Sequence, residues 1–315
     1  MNGILLIVLS QIIFGTVSVF VRLSEMPAAV AVFFRCLIAS IALAIYFAAR
    51  PRELLPILKW NQTLGLIALL GLITALNWWG FFEAVRLTSV QNTLALYSLS
   101  SVISILMAAA LFKERLTARQ WLYVATALSG ALVVMRVWAG FDLASSSMYG
   151  SFCALGAGAL YAVVPLIARY LKHVPALVLV FGPTLIGTIV FLPYGAEVIA
   201  HASAVSTRSW AAVVALGLLN TVLPFSLYFK GLKKIEISVA AVLQYLYALS
   251  SVLFAWLVFD ERLTASFIVG AVLIIGSSYL LIRDRAAKKP VIAMQGITGP
   301  IPSPNSGALG FTARS

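Results

Sequence analysis

Side chains able to hold a small molecule recur at helical spacing inside stretches that otherwise carry few polar atoms. Thr93, Tyr97, Ser100, Ser101 and Ser104, followed by Ala108, advance by three and four residues, so a helix through them bears one polar stripe on an apolar cylinder. A second stripe, Ala240, Gln244, Tyr247, Ala248, Ser251 and Ala255, lies 147 residues later. Hydroxyl and amide groups facing lipid tails cost free energy. Both stripes must therefore face protein or water, and either a shared cavity or close packing of helices through small residues would satisfy them. Tyr97, Gln244 and Tyr247 are too bulky for close packing, which makes them the leading binding candidates, with Ser101, Ser104 and Ser251 beside them.

Other candidates lie nearer the N-terminus. Gln11, Gly15, Ser18 and Arg22 share a helix face, and Phe14 stands 147 residues before Tyr161. Paired rings on inner helices could sandwich an apolar or cationic group, or simply pack. The run Asn77-Trp78-Trp79-Gly80-Phe81-Phe82 joins an amide to four aromatics, and Asn77 with Trp79 is the expected inward pair. Arg35 is a charge about eight residues into an apolar stretch, where an unpaired guanidinium is costly. Glu83 is the carboxylate placed to pair with it or to titrate as a coupling group, although Arg86, three residues on, offers an intrahelical partner. Pro165, Pro183 and Pro224 interrupt apolar runs as static kinks or hinges, and Pro224 frees the carbonyl of Asn220 for a ligand or a neighbouring group.

Catalytic and metal chemistry has little to work with. His173, His201, Asp142, Asp260 and Asp284 fall between the apolar runs, and Cys36 and Cys153 are isolated within them. No metal site, cofactor or protease constellation is expected, and the chain does not read as an enzyme.

The elements that must position these residues follow from composition. Of 315 residues 62% are hydrophobic and 10% charged, against about 25% charge in soluble domains, so the chain is an integral membrane protein. Apolar stretches fall at about 3–21, 27–49, 63–85, 88–112, 118–137, 148–168, 174–193, 209–229, 236–259 and 265–282, each near the ~20 residues that a spanning helix needs. Barrel strands would alternate in polarity instead. The first stretch lacks a basic leader and a cleavage site and is expected to be retained.

Basic residues accumulate on one side. Sixteen of the 22 Lys and Arg fall on the side that carries both termini, five fall on the other, and Arg35 lies within the second span. Basic loops are retained in the cytoplasm, so the expectation is a multi-pass protein of the cell membrane (plasma or inner) with both termini cytoplasmic. The net charge of +12 then reflects loops beside anionic lipid. The lipid bilayer and a small-molecule substrate are the expected partners, nucleic acid is not, and a homodimer is left open.

Lys113-Glu114-Arg115-Leu116-Thr117 recurs as Asp260-Glu261-Arg262-Leu263-Thr264, and the offset of 147 extends back through the preceding span. The chain is thus a duplication, with a first five-helix repeat at 1–137, an external linker at 138–147, a second repeat at 148–283 and a Pro/Gly-rich cytoplasmic tail at 284–315 expected to be disordered. An odd number of spans per copy inverts the second relative to the first. The fold class is all-α integral membrane, ten transmembrane helices as two inverted five-helix repeats, an architecture that suits two-gated transporters.

These residues resemble the drug/metabolite transporter superfamily, EamA type, over about residues 3–283. The resemblance rests on the two Glu-Arg-Leu-Thr segments, on Phe14-Gly15-Thr16 where the family commonly has Trp-Gly-Ser, on Arg35, and on the stretch from Phe82-Glu83-Ala84 to Thr88-Ser89. The family often has proline thirteen residues before each of those glutamates. Ser101 and Ala248 stand there in this chain, so the resemblance gives less support for kinks in the fourth and ninth spans. It does imply a central cavity lined by the first, third, fourth, sixth, eighth and ninth spans, and export of small organic metabolites. The expected function is a secondary transporter that exports a small polar or amphipathic, amino-acid-like metabolite by alternating access. A channel or a structural, receptor-like polytopic protein is the alternative.

Overall fold

The computed structural model describes residues 2–54, 62–88, 90–114, 116–135, 148–200, 205–260 and 265–295, and the regular structure within them is helical. Lipid offers no water to bond, so each apolar run satisfies its own backbone by coiling. In chain order the helices are α1 (Gly3–Phe14), α2 (Val17–Ser24), α3 (Ala28–Ala49), α4 (Gln62–Leu87), α5 (Val90–Tyr97), α6 (Leu99–Phe112), α7 (Ala118–Val134), α8 (Met148–Tyr170), α9 (Ala176–Ala200), α10 (Thr207–Gly217), α11 (Leu223–Leu232), α12 (Ile237–Leu243), α13 (Leu246–Phe259) and α14 (Ala265–Gln295). Nine stretches among the described residues are long and apolar enough to cross a membrane. The expected fifth span, α7, has 17 residues, or about 26 Å at 1.5 Å per residue, close to the thickness of a bilayer core.

Three spans are interrupted. The first breaks at Gly15 and Thr16 between α1 and α2, the fourth at Ser98 between α5 and α6, and the ninth at Gln244 and Tyr245 between α12 and α13. Ser98 and Tyr245 are 147 residues apart, so the last two breaks occupy the same place in the two copies. Neither break is made by a proline: Ser101 and Ala248 stand just beyond them. Hydrogen bonds tighten to three-residue spacing at Ser101 to Ser98, Tyr245 to Val242, Tyr247 to Gln244 and Ala248 to Tyr245. The Ser98 hydroxyl, 2.6 Å from the Ala95 carbonyl, competes with the helical ladder from within.

A break inside a membrane leaves backbone groups to satisfy, and the facing span supplies partners. Ser251 Oγ donates to the Gly15 carbonyl at 3.1 Å, and Ser250 Oγ, bonded within its own helix to the Leu246 carbonyl, lies 3.2 Å from the Gln11 carbonyl. This needs the two backbones to be close: a Cβ on Gly15 would come within 2.5 Å of Ser250 Cβ. The eighth span instead carries a π-helical turn, Leu218–Val222, between α10 and α11, directly ahead of Pro224. Such turns widen the helix and free acceptors.

Packing repeats across the halves. The third span lies on the sixth and the eighth on the first, while the second pairs with the seventh and the fifth with the tenth. Exchanging the copies maps each pairing onto another or onto itself, as a two-fold relation between five-span repeats requires. One boundary differs from expectation. The α14 helix runs on to Gln295, so residues 284–295 continue a helix where a disordered tail was expected to begin. Its extension is tied down by Arg119 to Asp284 at 3.7 Å and by Arg285 to Glu236 at 2.5 Å. The linker 138–147 and residues 296–315 lie outside the described residues.

Candidate functional site

Where the interrupted spans meet, the bundle holds a partly open cavity of about 450 Å³, counting all space not filled by atoms, open solvent included. The first half contributes Gln11, Phe14, Val17, Arg35, Asn77, Trp78, Phe81, Phe82 and Tyr97, and the second contributes Tyr161, Phe225, Gln244 and Tyr247. Such a lining, mostly aromatic with a few convergent polar groups, is typical of small-molecule sites.

The rings brace one another. Phe14 meets Phe225 at 4.7 Å and Trp78 meets Phe225 at 5.4 Å, while Tyr97 lies 5.1 Å from Phe81 and 5.4 Å from Tyr161. Mostly edge-on or tilted, these contacts hold the aromatic walls by quadrupole attraction as well as by burial. The amides fix the wall between them. Asn77 Nδ2 donates to the Ala157 carbonyl at 2.7 Å and to the Tyr97 hydroxyl at 3.2 Å, tying the third span to the sixth and fourth. Gln244 Nε2 donates to Ser100 Oγ at 2.8 Å across the two broken spans.

Arg35 is 2% exposed. Its guanidinium lies over the rings of Trp78 at 4.5 Å and Phe82 at 5.4 Å. Nε donates to Thr221 Oγ1 at 2.6 Å and Nη2 to the Asn220 carbonyl at 3.0 Å. That carbonyl is the one whose helical donor Pro224 removes, so the group that accepts the freed oxygen's invitation is a neighbouring cation. Asn220 is itself fully buried, and its Nδ2 donates to the Ile13 carbonyl at 3.0 Å and to Thr16 Oγ1 at 2.7 Å. One residue thereby joins the break in the first span, the π turn of the eighth and the cation of the second.

Of the twelve residues expected from sequence to bind, Gln11, Phe14, Arg35, Asn77, Tyr97, Tyr161, Gln244 and Tyr247 line the cavity. Four do not. Ser101 borders a smaller neighbouring void with Tyr245. Ser104 Oγ is turned to the Ala162 carbonyl at 3.0 Å and Ser251 to that of Gly15, so both bind helices together. Trp79 is half-buried away from the cavity. Residues two apart on a helix point about 200° from each other, so Asn77 and Trp79 cannot share a face, whereas Asn77, Trp78, Phe81 and Phe82 can. The expected Arg35 to Glu83 ion pair is not formed either. Glu83 follows Phe82 by one residue and turns aside to meet Arg86 at 3.3 Å. Pro165 and Pro183 lie inside α8 and α9, and Pro224 stands in the first turn of α11.

Phe225 and Trp78 are the lining residues that sequence reasoning passed over, along with Val17, Phe81 and Phe82. A signal was present, because Trp78 and Phe225 are 147 residues apart, as are Phe81 and Tyr228. The offset that relates Phe14 to Tyr161 thus relates further aromatic residues across the two copies.

Toward the end of the bundle that carries most of the basic loops, polar ties cross from one helix to another. Both oxygens of Glu114, in the first Glu-Arg-Leu-Thr segment, accept from the second half: Oε1 from Ile237 N at 3.2 Å and Oε2 from Ser238 N at 3.0 Å. The carboxylate thus caps the N-terminus of α12. Arg169 Nη1 donates to the Ile235 carbonyl at 2.9 Å, and Lys233 Nζ to that of Val174. Partial burial lowers the pKa of Lys233.

Two related five-span units enclosing an aromatic cavity point to a family, and a direct comparison agrees. The EamA-like transporter family matches residues 1–136 and again residues 148–283. The chain belongs to the EamA-like transporter family. A Bacillus subtilis (strain 168) relative, the uncharacterized transporter YxxF, is 23% identical over 249 residues, 78% of each chain. An uncharacterized transporter of Archaeoglobus fulgidus is 24% identical over 280 residues, 88% of this chain and 95% of that one. A crystal structure superposes with a TM-score of 0.72 over 89% of this chain and 96% of the other, at 18% identity, a likeness of fold. Membership in this family makes the chain a multi-pass membrane protein of a transporter family.

Proposed function

We propose that the protein is a secondary transporter that exports a small polar or amphipathic, amino-acid-like metabolite by alternating access, with the aromatic cavity as its substrate site. The observation that carries the reading is the position of the cavity: it is bounded by both inverted copies, at the breaks of the first, fourth and ninth spans. Rocking of one half against the other about such a site would expose it to each face in turn. Glu83 lies off the cavity and is neutralised by Arg86, so exchange or facilitated export fits better than strict proton coupling through this carboxylate.

The test is substrate counterflow in proteoliposomes with a panel of radiolabelled metabolites. Tyr97→Ala and Gln244→Ala are each expected to slow transport about tenfold, the size of one lost polar contact of roughly 1–1.5 kcal/mol, while membrane abundance stays near that of the parent. Full activity in both variants removes these side chains from the site.

In this reading the protein sits in the cell membrane with both termini cytoplasmic. With Cys36 and Cys153 replaced by serine, Lys172→Cys is expected to react with an impermeant maleimide only after cells are permeabilised, and Thr207→Cys to react in intact cells. Both positions are exposed in the structure. The reverse pattern inverts the topology.

A further inference from the structure

Among the described residues the cavity lining contains one formal charge, and it is positive. Arg35 has five N–H groups, of which one on Nε and one on Nη2 are used by Thr221 and Asn220. The other three meet no acceptor among the described residues, and no carboxylate there lies within ion-pairing distance of the guanidinium. A second donor points the same way. Gln11 is 1% exposed, and its Nε2, near the Tyr161 hydroxyl, meets no acceptor in good hydrogen-bond geometry among the described residues. Buried donors in protein interiors are paired, and a buried charge left unpaired is the costliest case. A cavity with surplus donors, a net positive charge and apolar walls from Phe14, Tyr161 and Phe225 is complementary to one chemical class.

We propose that the substrate is a small organic monoanion, a carboxylate on a compact apolar body, whose oxygens take the free N–H groups of Arg35 and the amide of Gln11. This rests on the reading of the cavity as the transport site and narrows its substrate from amino-acid-like to net anionic. A zwitterion would bring an ammonium group for which the described lining has no carboxylate. Thr221 and Asn220 act as positioning residues that hold the guanidinium at the wall, and stacking on Trp78 and Phe82 keeps it planar against the cavity.

The experiment is equilibrium binding to the purified full-length protein in detergent, by calorimetry at pH 7, with four compounds that share one branched carbon body: isocaproate, isocaproamide, isoamylamine and leucine. Isocaproate is expected to bind at least tenfold more tightly than the other three, the usual worth of a charge-assisted pair of hydrogen bonds. Arg35→Gln is expected to abolish that preference. Arg35→Lys, which keeps the charge and loses the planar fork, should retain part of it, so the proposal does not depend on the folding of one variant. Equal binding of the amide and the acid, a preference for leucine, or binding of none of the four overturns the assignment. Counterflow of other metabolites with wild-type protein would persist in each of those cases, which separates failure of this inference from failure of the transporter reading.

Discussion

Replacing Asn220 by leucine is expected to lower transport by ten- to a hundredfold while the chain still inserts in the membrane. The two side chains are of similar size, and the substitution makes the eighth span more apolar, so insertion is not at risk. What is lost is the pair of hydrogen bonds from Nδ2 to the Ile13 carbonyl and Thr16 Oγ1, which pin the interrupted first span to the π turn of the eighth. Each such bond is worth about 0.5–1.5 kcal/mol, and the lower part of that range is commoner within membranes. Two of them at one junction amount to roughly 1–3 kcal/mol. The same turn holds Arg35 through the Asn220 carbonyl, and a site displaced by a fraction of an ångström pays in rate as well as in stability. Thr16→Val, which removes one of the two bonds, should fall between parent and Asn220→Leu. Counterflow rates normalised to purified, reconstituted protein decide the point. An Asn220→Leu protein as active as the parent would show that the junction is held by packing alone.

Glu114→Ala is expected to lower the melting temperature of the purified protein by several degrees. The carboxylate accepts from two backbone N–H groups of α12 that have no helical partner, at a site where Glu114 is only 9% exposed. Loss of such a cap costs about 1–2 kcal/mol, and the buried N–H groups it leaves behind add to that. The tie also joins the two halves, since Glu114 belongs to the first repeat and Ile237 and Ser238 to the second. Glu114→Gln keeps one acceptor and loses the charge, so it should melt between parent and alanine variant. Melting followed by intrinsic fluorescence of the three proteins in one detergent reads the order. Coincident curves would mean that water replaces the carboxylate at no cost.

The Glu-Arg-Leu-Thr segment shows how a motif can be visible while its work is not. Its recurrence 147 residues on revealed the duplication, because a repeat is a one-dimensional property of the chain. That Glu114 reaches the start of the ninth span could not be read there, since the partner is a backbone N–H and backbone leaves no signature in side-chain identity. The same holds for the breaks in the fourth and ninth spans. With serine and alanine in place of proline, no residue type announces them, and they follow from three-residue hydrogen bonds that the facing spans stabilise.

Spans, loop charge and the inverted repeat were determined by the sequence alone, because each depends on local composition: about twenty apolar residues satisfy a bilayer whatever their neighbours, and basic loops stay on one side for a reason that acts on each loop separately. Which faces of those spans meet was decided only in three dimensions. Helical periodicity gives a stripe and no azimuth, so Trp79 was the expected inward residue until the third span, set against the sixth, placed Trp78 at the cavity instead, and Glu83 looked available to Arg35 until its one-residue step past Phe82 turned it toward Arg86. The carbonyl freed by Pro224 was legible four residues upstream of the proline. Its acceptance of Arg35, 185 residues away in the chain, depended on the second span packing against the eighth, where the cation is held by a carbonyl, a hydroxyl and two rings.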